Sequence, residues 1–201
     1  MKSVAAVFGL VSVFLPWVSY GSPQNETWRA DVPLCIGCHG AHGEGATTGV
    51  PRLAGQDPQY MSHALSMFKA GTRDSPVMQP IAQGLSDADM SALAAYFSNQ
   101  NAPMAVANAP VSSEALRAGK QLAEAGATAC FSCHGPGGRG NGSRYPSIAG
   151  QPARFVIDRL HEFQQRAMKK PPMPGSMTFI AARMSEKEIE VSAAYLSRLA
   201  R

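Results

Sequence analysis

The sequence predicts an all-α protein made of two tandem domains that share one plan. Three observations predict it. Short motifs recur at a fixed offset of 95 residues. The apolar residues between those motifs follow the helical period and show no strand-like alternation. Each copy of the repeat also holds one Cys-x-x-Cys-His motif, and together the two motifs use all four cysteines.

Composition narrows the function classes. The chain has 201 residues, of which 45% are hydrophobic and 16% charged, so a core can be built and the composition argues against a long disordered acidic or basic protein. A net charge of +4 is too mild to imply nucleic acid. The charge is unevenly spread: residues 22–108 carry −3 and residues 109–201 carry +6.

Residues 1–21 read as a secretory signal peptide. Lys2 is a short basic region, Val4 to Val18 an apolar stretch, and Ser19 and Gly21 the small residues at the −3 and −1 positions. The alternative is an uncleaved membrane anchor. An apolar stretch of about 15 residues is short for a span of roughly 20, and Pro16 sits near its end. Cleavage after Gly21 is expected, leaving a soluble, exported protein that is at most peripherally membrane-associated.

Domain 1 is expected over 22–101, a linker over 102–112, and domain 2 over 113–201. In domain 1, helices are predicted over Glu26–Ile36 and Gln59–Lys69, followed by a terminal helix opened by the capping pair Ser86 and Asp89. The junction from Asn99 to Ser113 carries no charge and is rich in Asn and Pro, which is linker composition. In domain 2, helices are predicted over Ser113–Ala125, with Ser113 as N-cap, and over Pro152–Gln165. The terminal helix there is opened by Ser185 and Glu188.

Cys35-Ile36-Gly37-Cys38-His39-Gly40 recurs as Cys130-Phe131-Ser132-Cys133-His134-Gly135. Pro51-Arg52-Leu53-Ala54-Gly55-Gln56 recurs as Pro146-Ser147-Ile148-Ala149-Gly150-Gln151. Met78 with Ile81-Ala82 recurs as Met177 with Ile180-Ala181, now at offset 99, and Ala94-Ala95-Tyr96-Phe97 as Ala193-Ala194-Tyr195-Leu196. The four extra residues are expected in the Lys169 to Gly175 region, as a loop insertion.

Cys-x-x-Cys-His in an exported chain has three chemical readings. Two thiols and an adjacent imidazole suit covalent haem c attachment. A thioredoxin-like dithiol expects a βαβ context that is missing. A four-thiolate zinc site would have to join two separate repeats. Haem is the reading both copies support. Two small helical domains also lack enough apolar residues for a full core, and a large prosthetic group would supply the rest.

These motifs resemble the cytochrome c4 family, di-haem proteins of two class I cytochrome c domains. The likeness rests on both Cys-x-x-Cys-His-Gly motifs, the Pro-x-x-Ala-Gly-Gln segments, the later methionines and the Ala-Ala-Tyr endings, and it spans the expected mature chain. It implies two covalently attached haem c groups related by a pseudo-twofold axis, with propionates near the interface. Cys35 and Cys38 would hold haem 1 and Cys130 and Cys133 haem 2, with His39 and His134 as axial iron ligands. Pro51 and Pro146, each 12 residues after its histidine, would offer a carbonyl to the other imidazole nitrogen.

The second axial ligands are expected to be Met78 and Met177, with Met173 as the rival in domain 2. Met173 lies 39 residues after His134, the same spacing as Met78 after His39, whereas Met177 lies 43 after. The matching Ile-Ala favours Met177. His42, His63 and His161 are read as ordinary polar residues, and the remaining methionines as apolar filler.

Two protein ligands on each iron leave no open position, so outer-sphere transfer of single electrons is expected rather than catalysis. The expected role is a periplasmic carrier between a respiratory donor and a terminal oxidase or reductase. The alternative is an electron-accepting subunit of an enzyme such as a flavocytochrome sulfide dehydrogenase. A di-haem peroxidase shares only the Cys-x-x-Cys-His motif. Arg139, Arg144, Lys169 and Lys170 are expected to present a basic face of domain 2 to an acidic partner.

Overall fold

The computed structural model describes residues 28–46, 48–103, 110–125 and 129–200. The expected signal peptide and the middle of the expected linker lie outside the described residues. Within them the chain is helical: α1 (Trp28–His39), α2 (Pro58–Lys69), α3 (Met78–Gln83), α4 (Asp87–Ser98), α5 (Ser113–Glu124), α6 (Cys130–His134), α7 (Ala153–Lys169), α8 (Met177–Ala181) and α9 (Glu186–Leu196). Two isolated bridges, Ala46 with Val50 and Asn141 with Tyr145, repeat at the offset of 95.

The caps explain most of the boundaries. Both expected capping boxes form: Ser86 and Asp89 open α4, and Ser185 and Glu188 open α9. Asp57 accepts the Tyr60 N–H at the head of α2, where Pro58 occupies the first turn and loses no bond. The N-cap of α5 is Ser112 rather than Ser113, because the Ser112 hydroxyl receives the Ala115 N–H.

Two helices differ from expectation. α1 does not stop at Ile36 but runs through the first motif to His39, despite Pro33 within it. Gly37 costs a helix only about 1 kcal/mol, too little to end one that is packed on both sides of it. In domain 2 the equivalent motif forms its own short helix, α6.

The four extra residues of the second repeat do not enlarge a loop. α7 starts at the equivalent of Pro58 but has 17 residues against 12 in α2, while residues 170–176 connect it to α8 as briefly as 70–77 connect α2 to α3. The added stretch contains Arg166, Ala167, Met168 and Lys169, all good helix formers, so it extends the helix by about a turn.

In domain 2, Val156, Leu160, Ala181, Ile189, Ala193 and Leu196 form the buried cluster. In domain 1, Met61, Ala94 and Phe97 form one cluster and Leu85, Met90 and Leu93 another. α5 crosses α9 at Gly119, where a Cβ would lie 2.1 Å from the Val191 carbonyl oxygen. Among the described residues, the largest wholly buried side chains are Ile189 and Ser192, so the protein core is thin.

The two halves meet through a reciprocal pairing. Gln56 Nε2 donates to the Ser147 carbonyl at 2.9 Å, and its Oε1 accepts the Ser147 N–H at 2.8 Å. Gln151 Nε2 donates to the Arg52 carbonyl at 3.0 Å, and its Oε1 accepts the Arg52 N–H at 2.9 Å. Gln56 and Gln151 are repeat equivalents, as are Arg52 and Ser147, so exchanging the halves maps the contact onto itself. That is the isologous pattern of a twofold relation.

Candidate functional site

Each motif histidine is pinned by its expected proline. His39 Nδ1–H donates to the Pro51 carbonyl at 2.8 Å, and His134 Nδ1–H to the Pro146 carbonyl at 2.7 Å. Both imidazoles are 7% exposed. Burial holds the pKa of each below the usual histidine value, against the opposing pull of the proline carbonyl. A neutral ring with its proton on Nδ1 carries its lone pair on Nε2, the form that binds a metal.

The loop after each motif folds back on the histidine in the same way. The Gly45 N–H reaches the His39 carbonyl at 2.8 Å and the Gly140 N–H reaches that of His134 at 2.7 Å. Both glycines have positive φ, and a Cβ on Gly45 would meet the Arg52 nitrogen at 2.8 Å. The loop therefore lies against the Pro-x-x-Ala-Gly-Gln segment that supplies the carbonyl.

No disulfide joins any of the four cysteines. Cys35 and Cys130 are half-buried. Among the described residues no group of three or more His, Cys, Asp and Glu side chains comes together, so the shared zinc site lacks its ligand cluster.

Met78 begins α3, and Met177 begins α8. Ser75 Oγ accepts the Met78 N–H at 3.0 Å, and Ser176 caps α8. Met177 packs against the domain 2 cluster, whereas Met173 is 74% exposed. His42 and His63 are exposed, and His161 Nε2 contacts Glu186 at 2.8 Å.

Sequence reading did not assign the buried arginines. Arg52 donates to the Ala102 and Pro103 carbonyls, both at 2.5 Å, tying the start of the expected linker to domain 1. Its Nε and that of Arg73 are buried with no hydrogen-bond partner among the described residues. Burial, then the nearby charge of Arg73, lowers the Arg159 pKa, and Glu162 only partly opposes this. Unpartnered buried guanidinium donors suit carboxylates. With the thin core and the neutral imidazoles, these groups fit a large apolar cofactor that bears acid side chains.

The protein-family model for cytochrome c matches residues 33–101 and 116–200. This chain belongs to the cytochrome c family. Its relatives place it with the cytochromes c4. It is 39% identical to the thiosulfate dehydrogenase electron acceptor of Stutzerimonas stutzeri strain A1501, over 82% of this chain and 78% of that protein. The corresponding acceptor of Thiomonas intermedia is 34% identical, over 98% and 91%. Cytochrome c4 of Pseudomonas aeruginosa is 31% identical, over 94% and 96%.

Among solved structures, reduced recombinant cytochrome c4 from Pseudomonas stutzeri matches with a TM-score of 0.74 at 29% identity, covering 87% of this chain and 98% of that one. Thiosulfate dehydrogenase from Marichromatium purpuratum, as isolated, matches with a TM-score of 0.72 at 37% identity. The match covers 83% of this chain but only 36% of that longer one. The chain is thus a di-haem electron-transfer cytochrome of two tandem class I domains, carrying two covalent haem c groups.

Proposed function

We propose that this cytochrome is a periplasmic carrier that takes single electrons from a dehydrogenase of reduced sulfur compounds, thiosulfate first among them, and passes them to a terminal oxidase or reductase. Cys35 and Cys38 would hold haem 1, with His39 and Met78 as its iron ligands; Cys130 and Cys133 would hold haem 2, with His134 and Met177. When bound, each haem supplies one Fe(III)/Fe(II) couple. Pro51 and Pro146 orient the imidazoles, and the methionine thioethers favour the reduced state. With two protein ligands on each iron, no position would be open to substrate, and the chemistry the haems would supply is outer-sphere electron transfer.

The observation that carries this reading is the same arrangement in both halves: a buried imidazole pinned through Nδ1, and a half-buried methionine at the head of the following short helix. The donor class is supported by the two relatives named as acceptors of thiosulfate dehydrogenase. The leader-like residues 1–21 support export, and among the described residues no helix is long and apolar enough to cross a membrane.

A second reading, a tightly bound enzyme subunit, is favoured by the Marichromatium structure, in which the matching segment is part of a longer thiosulfate dehydrogenase chain. Co-purification with a dehydrogenase separates the two readings.

The test is stopped-flow mixing of oxidised holoprotein with thiosulfate dehydrogenase and thiosulfate. Reduction of both haems at a rate that falls with salt is expected. Arg139, Arg144, Lys169 and Lys170 are all exposed, so charge reversal at Lys169 and Lys170 should weaken the salt dependence for an acidic partner. Reduction by a sulfide dehydrogenase alone would move the donor, and a high-spin, ligand-binding haem in intact protein would overturn the closed-site reading.

A further inference from the structure

We propose that Gln56 and Gln151 each tune the haem of the opposite domain through a single peptide unit. This rests on the reading of His39 and His134 as iron ligands. The Pro51–Arg52 peptide has its two polar ends in different domains' hands. Its carbonyl accepts His39 Nδ1–H at 2.8 Å, and its N–H donates to Gln151 Oε1 at 2.9 Å. The Pro146–Ser147 peptide does the same, with His134 at 2.7 Å and Gln56 Oε1 at 2.8 Å.

The geometry admits only one orientation of each glutamine. The Nε2 of Gln151 donates to the Arg52 carbonyl and that of Gln56 to the Ser147 carbonyl, so each Oε1 must face the peptide N–H. Arg52, Gln56, Ser147 and Gln151 are all 5% exposed or less, which keeps water from replacing these bonds.

An amide that donates through its N–H is a better acceptor at its oxygen, with neighbouring bonds strengthening one another by about 10–30%. The glutamine therefore strengthens the proline's grip on the histidine proton. A histidine held more strongly at Nδ1 is a better electron donor through Nε2 and favours Fe(III). Each glutamine thus lowers the reduction potential of the haem across the interface. By reciprocity, oxidation of one haem tightens the bond to the other domain's glutamine.

The experiment is a redox titration of the holoprotein and of Gln151→Met and Gln56→Met, with each potential assigned to its domain by NMR. Gln151→Met should favour reduction of haem 1 about threefold, an upward shift of about 28 mV at 59 mV per tenfold change, and leave haem 2 in place. Gln56→Met should do the mirror image, so either variant alone carries the test. In the ferrous state the ¹⁵N shift of the histidine Nδ1 should move at His39 in Gln151→Met and at His134 in Gln56→Met.

Gln151→Glu in its protonated form keeps both bonds, and at acid pH its haem 1 should match the parent at that pH. A shift confined to the same domain's haem, an equal shift of both haems, or no shift overturns the relay. An equal shift is what a merely loosened interface produces. If the parent's ¹⁵N spectra show His39 or His134 uncoordinated, the ligand reading itself fails; if both are coordinated and the cross-domain shift is missing, only the relay fails.

Discussion

Replacing Met177 or Met173 by alanine separates the two candidate ligands of haem 2 by stability and by spectrum at once. Met173 is 74% exposed, and truncation at such a site changes stability by no more than about 0.5 kcal/mol. Met177 is half-buried against the cluster around Val156 and Leu160. A fully buried Met→Ala change costs roughly 2–5 kcal/mol, so half burial puts the packing loss near 2 kcal/mol, before any loss of iron ligation. In a domain of about 90 residues each kcal/mol moves Tm by about 4–8 °C, so Met177→Ala should lower the domain 2 transition by about 8–16 °C. The spectral readout is independent of packing. The far-red charge-transfer band implied for Met-ligated ferric haem should fall to half in Met177→Ala and persist in Met173→Ala. Calorimetry and optical spectra of the two oxidised proteins check this. The reasoning is refuted if Met173→Ala halves the band while Met177→Ala leaves it whole.

Gly119→Ala should destabilise domain 2, although alanine is the better helix former by about 1 kcal/mol. The new Cβ meets backbone, at 2.1 Å from the Val191 oxygen and 2.8 Å from its carbonyl carbon, and no rotamer change relieves that. Overpacking costs about 1–3 kcal/mol, so the net loss is up to about 2 kcal/mol, and a raised Tm would refute the close crossing. Ser185→Ala should cost about 1 kcal/mol at neutral pH by denaturant titration, as the α9 N-cap is lost. The Ser185 backbone N–H, then its hydroxyl, lowers the Glu188 pKa below the usual value of 4.5. A depressed carboxyl stabilises the fold above its unfolded pKa and loses that contribution as pH falls through the folded value. Glu188→Gln should therefore flatten the part of the stability profile below about pH 4.5, and an unchanged acid limb would count against the capping box.

Features held by bonds within about a dozen residues were legible in the sequence. The Ser86–Asp89 and Ser185–Glu188 boxes form as read, and the Pro51 and Pro146 carbonyls meet their histidines at the expected spacing. Helix ends set by packing were not legible. The sequence predicts a helix that ends at Ile36, but α1 runs on through Gly37 to His39. The added residues of the second repeat sit next to Pro171 and Pro172 and read as loop, yet they extend α7. Gly119 shows the converse failure. A residue without a side chain adds nothing to a hydrophobic stripe, so the apolar pattern of α5 gives no sign that the helix crossing centres on a glycine.

The glutamines were visible as a repeat but not as a contact, because a repeat records equivalence and not proximity. Gln56 and Gln151 stand 95 residues apart at matching positions, and each could as well have faced its own domain. The structure shows why the whole Pro-x-x-Ala-Gly-Gln segment belongs together. Its proline carbonyl holds its own domain's histidine. The next residue offers its N–H and carbonyl to the other domain. Its glycine N–H ties to the terminal helix, at Phe97 or Leu196, and its glutamine reaches across. Each copy both gives and receives, so losing one glutamine strands a buried N–H and a buried carbonyl in the opposite domain. Each stranded group costs about 1–3 kcal/mol. A substitution in one domain is therefore felt next to the other domain's histidine, and for this reason the two haem sites cannot be varied as independent units.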